Sequence, residues 1–258
     1  MLEQEERIKF VYNEAAVLVH ANREEHLVIG DLHIGVERPL IKKGIRVYNA
    51  EEQMLKRIRK ISKEFGVRNL IVLGDVKDTI LYPESGENGA LKAFFSELKK
   101  DNFDVIVTAG NHDPHLNEIV DCKIVDELLL DDFAFLHGHR WPSDEAMKSK
   151  FIFAGHNHIA IGLKDKSGAY YNQKAWMIAK FNRKYGLEKY PGANSKVQLV
   201  VLPAFNDLII GMPVGKLPQS ENLSPLFRNN VFSYRSASIY SLRGEPVGKV
   251  SGVKRSST

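Results

Sequence analysis

Four times along the chain a short apolar run ends in glycine and then releases acidic, imidazole or carboxamide side chains. The four are Leu27-Val-Ile-Gly-Asp31-Leu-His33, Asn69-Leu-Ile-Val-Leu-Gly-Asp75-Val-Lys-Asp78, Val105-Ile-Val-Thr-Ala-Gly-Asn111-His112-Asp113 and Phe151-Ile-Phe-Ala-Gly-His156-Asn-His158. A fifth run, Phe133-Ala-Phe-Leu-His137-Gly-His139, puts histidine ahead of the glycine. Short apolar runs bounded by turn residues predict buried strands. Parallel strands deliver the residues at their carboxyl ends to the crevice where open α/β sheets bind ligands. Between the runs, Met54, Leu55, Ile58, Ile61 and Phe65 recur at helical spacing and predict a helix over about 50–65. Glu51 and Glu52 suit its first turn and Gly66 its end. Leu91, Phe94, Phe95 and Leu98 predict a second helix over about 89–100.

Strand and helix thus alternate in the first half, which predicts a parallel α/β sheet. After Asp121 short strands over about 133–136, 151–154, 197–202 and 237–242 follow one another, so a second sheet packed on the first is expected. Weak alternation over 14–20 adds a strand at the start. Residues 170–195 mix Trp176, Met177, Ile178 and Phe181 with Lys180, Arg183 and Lys184 and read as a helical insertion or lid. The expected organisation is one domain over 1–215, an extension over 216–250 that closes it with a hairpin around Arg243-Gly244, and a disordered polar tail over 251–258.

Composition narrows the class. At 258 residues, 43% hydrophobic and 26% charged, the chain reads as an ordinary globular protein. A formal charge of +4 permits contact with a polyanion without requiring it. Cys122 is the single cysteine, which excludes an intrachain disulfide and a thiolate zinc site and fits a cytoplasmic, reducing compartment. The charged start Met1-Leu-Glu-Gln-Glu-Glu-Arg lacks the apolar core of a signal peptide. The most apolar stretch, 197–215, is interrupted by Gln198, Pro203, Asn206, Asp207 and Pro213 and is not expected to span a membrane.

Six of the nine histidines (His33, His112, His137, His139, His156 and His158) fall in the five strand-end motifs, beside Asp31, Asp75 and Asn111. One histidine on an apolar face is usually structural. Six at strand ends point to metal, with Asp75 as a carboxylate able to bridge two ions. Oxygen and imidazole donors without thiolate suit Mn²⁺, Fe²⁺, Zn²⁺ or Ni²⁺.

The ordered blocks GDLHIG, GDVKD, GNHD, HGH and GHNH resemble the signature of the calcineurin-like metallophosphoesterases over about residues 28–158. That resemblance implies a four-layer α/β/β/α sandwich with a dinuclear metal site at the strand ends. It implies one divalent ion on Asp31, His33, Asp75 and His158 and another on Asp75, Asn111, His137 and His156, with Mn²⁺ the expected metal. It also implies that His112 acts beside the leaving group and that Asp78 orients and charges its imidazole. His139 is a candidate for the substrate phosphate or for a supporting position, and Asp113 reads as a structural turn residue. A further segment, Gln198-Leu-Val-Val-Leu-Pro203-Ala-Phe205-Asn-Asp, resembles the "LPAF" region of the SbcD-related archaeal phosphoesterases and of the ligase-associated DNA-damage endonucleases. It implies phosphodiesterase or nuclease activity.

Arg38, Lys42, Lys43 and Arg46 follow the first block, and Arg140 follows HGH. At the mouth of a strand-end cleft they can track a nucleic-acid backbone, with Trp141 and Tyr48 available to stack on bases. The function expected is a metal-dependent phosphodiesterase or nuclease acting on DNA or RNA. The alternatives are an enzyme for cyclic nucleotides or nucleotide monoesters, and a non-catalytic scaffold of the same fold.

Overall fold

The computed structural model describes residues 6–215 and 219–252. The polar tail expected over 251–258 lies outside them from residue 253 onward. The first sheet runs, in spatial order, through β1 (Ile8–Phe10), β2 (Val17–Ala21), β3 (Glu24–Ile29), β4 (Asn69–Val72), β5 (Asp104–Thr108) and β6 (Lys123–Val125). β1 to β3 form an antiparallel meander, and β3 to β6 are parallel. The crossover from β3 to β4 carries the short α1 (Arg38–Lys42) and α2 (Ala50–Phe65), and α3 (Ser85–Lys100) leads from β4 to β5.

Helix α2 has the predicted bounds, and its ends show why. The Asn49 side chain accepts a hydrogen bond from the Glu52 amide, and Gly66 closes the last turn at φ +69°. Helix α3 starts four residues earlier than the apolar spacing predicts. Gly86 in its first turn and Gly89 just after it dilute the apolar signal, while Glu87 in the first turn is buried for a reason described below.

The second sheet contains β7 (Glu127–Leu130), β8 (Phe133–Leu136), β9 (Phe151–Ala154), β10 (Ile159–Lys164), β11 (Tyr170–Lys180), β12 (Gln198–Val201), β13 (Met212–Pro213), β14 (Ser238–Ser241) and β15 (Pro246–Lys249). Its order is β13-β10-β11-β12-β9-β8-β7, and β14 pairs with both β11 and β15. Residues 170–195, read from sequence as a helical insertion or lid, instead supply the long strand β11 and then α4 (Arg183–Lys189). Ala175–Ala179 is buried on both faces, so it shows a continuous apolar run without alternation. The expected C-terminal hairpin is β14 and β15, stitched to β11 through Ala175↔Ser241 and Ile178↔Ser238.

Three apolar layers hold the sheets. Met54, Ile58, Leu91 and Phe94 of α2 and α3 pack on Leu27, Ile29, Leu70 and Val107 of the first sheet. Between the sheets, Val28, Ile71 and Leu73 meet Phe133, Phe135, Phe153 and Trp176. Phe135 and Phe153 stack there at 5.4 Å. Outside the second sheet, Met177, Leu199 and Val201 are covered by Met147, Tyr190 and the short helix α5 (Pro225–Arg228), which contributes Leu226 and Phe227. The architecture is a mixed α/β fold of two face-to-face sheets flanked by helices. Among the described residues no helix is long and apolar enough to cross a membrane.

Candidate metal centre

The parallel strands β3, β4, β5, β8 and β9 all deliver their following loops to one edge. The loops after β3 and β4 continue to pair beyond the strands: the Asp31 amide donates to the Gly74 carbonyl, and the His33 amide to the Asp75 carbonyl at 2.9 Å. Asp31, His33 and Asp75 are thereby held side by side. Donor atoms of Asp31, His33, Asp75 and His158 lie within 4.8 Å of one another, as do those of Asp75, His137 and His156. Asp75 belongs to both groups. Asn111 joins the second, its Oδ1 being 3.3 Å from His137 Nε2. All seven residues named from the sequence as ligands converge in this way.

The backbone is bent to bring them there. Asp31, His33, Asp75, His156 and His158 all have positive φ, between +39° and +67°. Non-glycine residues in that region cost on the order of 1–3 kcal/mol each and persist where surrounding contacts enforce them. Two glycines make the close approach possible. A Cβ at residue 110 would overlap the Asp75 carboxylate, and one at residue 155 would sit 2.8 Å from Asp31 Oδ2.

The donor set fits a cation. His137 Nδ1 lies 2.8 Å from the Leu73 carbonyl, so Nδ1 carries the proton and Nε2 turns to the site. That Nε2 faces Asp75 Oδ2 at 3.3 Å, Asn111 Oδ1 at 3.3 Å and His156 Nδ1 at 3.1 Å. On the other side His33 Nε2 and His158 Nε2 are 3.3 Å apart. Burial opposes the charge on Asp31 and Asp75, yet the histidines beside them, His158 and His137 respectively, hold both carboxyls below the usual carboxylate range. Burial also opposes a charge on His137, and the Asp75 and Asp31 carboxylates overcome it and lift that ring to about 9. Burial and a charged His137 then push His156 down to about 3 and His139 to about 4. Such a cluster draws positive charge between two buried anions, which is the demand a divalent ion meets.

Asp78 stands between two histidines, its carboxylate grouping with ring nitrogens of His33 and His112 within 4.8 Å of one another. His112 Nδ1 donates to the backbone carbonyl of Asp78, whereas the Asp78 carboxylate turns to His33, with Oδ1 3.3 Å from Nδ1. The loop geometry explains the turn. The Asp78 amide donates to the Ile34 carbonyl and to Glu87 Oε1, and the Thr79 amide and hydroxyl also donate to Glu87. Buried Glu87 thus fixes the residue 78 backbone and points its carbonyl at His112. Lys77, fully buried, donates from Nζ to the carbonyls of Thr79, Ile80 and Leu81 and completes the clamp.

Other expected residues are dispersed around this core. His139 is half-buried, with its ring centroid 5.2 Å from that of His137. Arg140 is exposed and bonds Asp126 at 3.1 Å. Arg38 donates to the Gly86 carbonyl and Lys42 to Glu84, each at 2.6 Å, so that end of the basic stretch is tied to the start of α3. Lys43 and Arg46 are exposed. Asp113 accepts from the amides of Val76, Lys77 and Gly110, locking the loops after β4 and β5 together.

Sequence reasoning gave no role to Asn206 or Lys174. Asn206 is buried and donates to the Leu32 carbonyl, and Lys174 Nζ donates to the carbonyls of Ala204 and Asn206. The LPAF segment was visible as a motif, but its contacts lie 174 residues away in the chain, beyond any local signal.

A family model described as calcineurin-like phosphoesterase matches residues 26–194. No curated protein sequence matches the chain. Among solved structures, the chain is similar to the nuclease MPE of Pseudomonas putida, with a TM-score of 0.59, 18% identity, and 92% of this chain and 94% of that one covered. It is also similar to Yfce, a phosphoesterase from E. coli, with a TM-score of 0.41, 12% identity, and 89% and 99% coverage.

Proposed function

The chain belongs to the calcineurin-like phosphoesterase family, and from that premise we propose that it is a two-metal phosphodiesterase that cleaves DNA or RNA. The observation that carries this reading is the sharing of Asp75 between two converging donor groups. Asp31, His33, Asp75 and His158 would hold one ion, and Asp75, Asn111, His137 and His156 the other, with Mn²⁺ the metal we favour over Fe²⁺, Zn²⁺ or Ni²⁺. Bound there, the ions would supply Lewis acidity toward the phosphate oxygens and an attacking water acidic enough to ionise near neutral pH.

The chain's own groups do the rest. The Leu73 carbonyl keeps the His137 proton on Nδ1 and frees Nε2 for the site. The Asp78 carboxylate, 3.3 Å from His33 Nδ1, acts on that ring through its charge. Because the Asp78 carbonyl holds the proton on His112 Nδ1, the imidazolium form of the ring carries its second proton on Nε2 and can give that one to the leaving oxygen. Lys43 and Arg46, exposed and without an ion-pair partner among the described residues, offer positive charge to a phosphate backbone. Similarity in fold to a structure described as a nuclease supports a nucleic-acid substrate.

The test is a panel of single- and double-stranded oligonucleotides, cyclic nucleotides and a nitrophenyl diester, each assayed with Mn²⁺, Fe²⁺, Zn²⁺ and Ni²⁺. Cleavage of oligonucleotides with a higher kcat/KM than the small esters is expected. Hydrolysis of the cyclic nucleotides alone would replace this reading with that of a small-substrate enzyme.

A further inference from the structure

A cavity of about 440 Å³ opens beside His137 and His139 and is walled by Asp126, Glu127, Arg140, Trp141 and Ser143. We propose that this cavity seats the nucleobase attached to the scissile phosphate and favours a base with an exocyclic amino group, adenine or cytosine. The proposal rests on the nucleic-acid reading above and assigns the base its place within it.

Three observations converge. The first is position. His137, part of the metal centre that would hold the phosphate, lines the cavity, and its volume lies in the range of small-ligand sites. The second is charge. The lining also carries the carboxylates Asp126 and Glu127, which repel a second phosphate and accept from amino groups, as carboxylates do from cytosine N4. Arg140 already neutralises Asp126 at 3.1 Å, and the Ser143 amide orients Glu127 Oε1 at 2.8 Å, leaving further acceptor sites on each carboxylate. The third is the wall. Trp141 is 40% exposed although Lys189 Nζ sits 4.8 Å from its ring centroid. The Tyr190 hydroxyl fixes the next residue by donating to the Pro142 carbonyl at 2.9 Å. A held, half-covered indole beside a phosphate site is a stacking platform for a base.

The chain provides its own reporter, since the second of its two tryptophans, Trp176, is fully buried. Deoxyadenosine monophosphate added to the metal-loaded protein should quench tryptophan emission saturably. Inorganic phosphate and deoxyribose 5-phosphate should not, and Trp141→Phe should abolish the change. Trp141→Ala should raise the apparent KM for oligonucleotides about 5- to 150-fold, the usual strength of base–aromatic stacking, and raise that for the nitrophenyl diester less. Glu127→Gln should narrow the preference for adenine and cytosine over thymine. Equal quenching by base-free phosphates, no quenching by the nucleotide, or equal loss on oligonucleotide and small diester would overturn the assignment. Failure to cut any oligonucleotide would sink the nucleic-acid reading instead, and the fluorescence titration would still report on the cavity.

Discussion

The side-chain amide of Asn206 donates to the backbone carbonyl of Leu32 at 2.7 Å, joining the segment after β12 to the loop that presents Asp31 and His33. The same amide lies 3.5 Å from the His33 carbonyl, and the Phe205 amide donates to the Gly30 carbonyl. Lys174 Nζ in turn holds the Asn206 carbonyl at 2.7 Å. Asp31 and His33 carry two of the positive φ values at the site, and Asn206 is a contact that enforces them.

Replacing Asn206 should therefore act on one half of the centre. Asn206→Ala leaves the Leu32 carbonyl buried and unpaired, at a cost of about 1–3 kcal/mol in urea unfolding. It should also weaken the ion on Asp31, His33, Asp75 and His158 by about 10- to 100-fold, the usual effect of losing a supporting contact. A two-site metal titration reads both constants. Equal weakening of the two ions, or of neither, would show that Asn206 only packs.

Lys174 gives a pH prediction with an unusual sign. Burial pushes its ammonium down to about 8, although Asp207 pulls the other way. An unfolded lysine keeps its proton to about 10.4. Between those values the unfolded chain binds more protons than the folded one, so this group makes stability rise with pH. Urea unfolding at pH 7.5 and 9.5 should show wild type gaining about 1–2 kcal/mol relative to Lys174→Met. A gain of the opposite sign would mean that the ammonium, held by two carbonyls and Asp207, stays charged throughout.

What could be read from the sequence was what is local. Each strand-end block is an apolar run, a glycine and its donors within ten residues, so the sharing of one edge followed once the strands were taken as parallel. Helix α2 carries its period and both caps inside its own stretch. Strand β11 was illegible because Ala175–Ala179 is buried on both faces while Tyr170–Gln173 is exposed, a pattern with no period of two. The turning of the Asp78 carboxylate toward His33 depends on Glu87, nine residues away, and the tethering of Arg38 depends on a carbonyl at Gly86. Contacts of that kind have no signature in residue type.

Asp75 is the residue whose loss should be most complete. Its carboxylate contributes to both donor groups and also accepts the His112 amide at 2.9 Å. Asp75→Asn keeps the shape and removes the charge, so bound metal should fall from two ions per chain to less than one, with activity lost. Full metal occupancy in the purified variant, measured by elemental analysis, would refute the shared carboxylate.

The last prediction separates His112 from Asp78, which the sequence had coupled. If His112 donates to the leaving oxygen, His112→Gln should keep both ions and the fold, while turnover falls about 10²–10⁴-fold, the range for a lost general acid. The loss should shrink for nitrophenolate, which departs without a proton, and stay large for a ribose alkoxide. Asp78→Asn should not reproduce that pattern. The group that holds His112 is the Asp78 backbone carbonyl, which the substitution leaves in place, and the carboxylate it alters faces His33. Removing that charge makes His33 a poorer donor, so Asp78→Asn should weaken one ion and slow both leaving groups equally. Rates on the two substrates, with metal content measured alongside, decide between the roles. A leaving-group dependence in Asp78→Asn would show that its carboxylate acts on His112, and loss of an ion in His112→Gln would make that histidine a ligand.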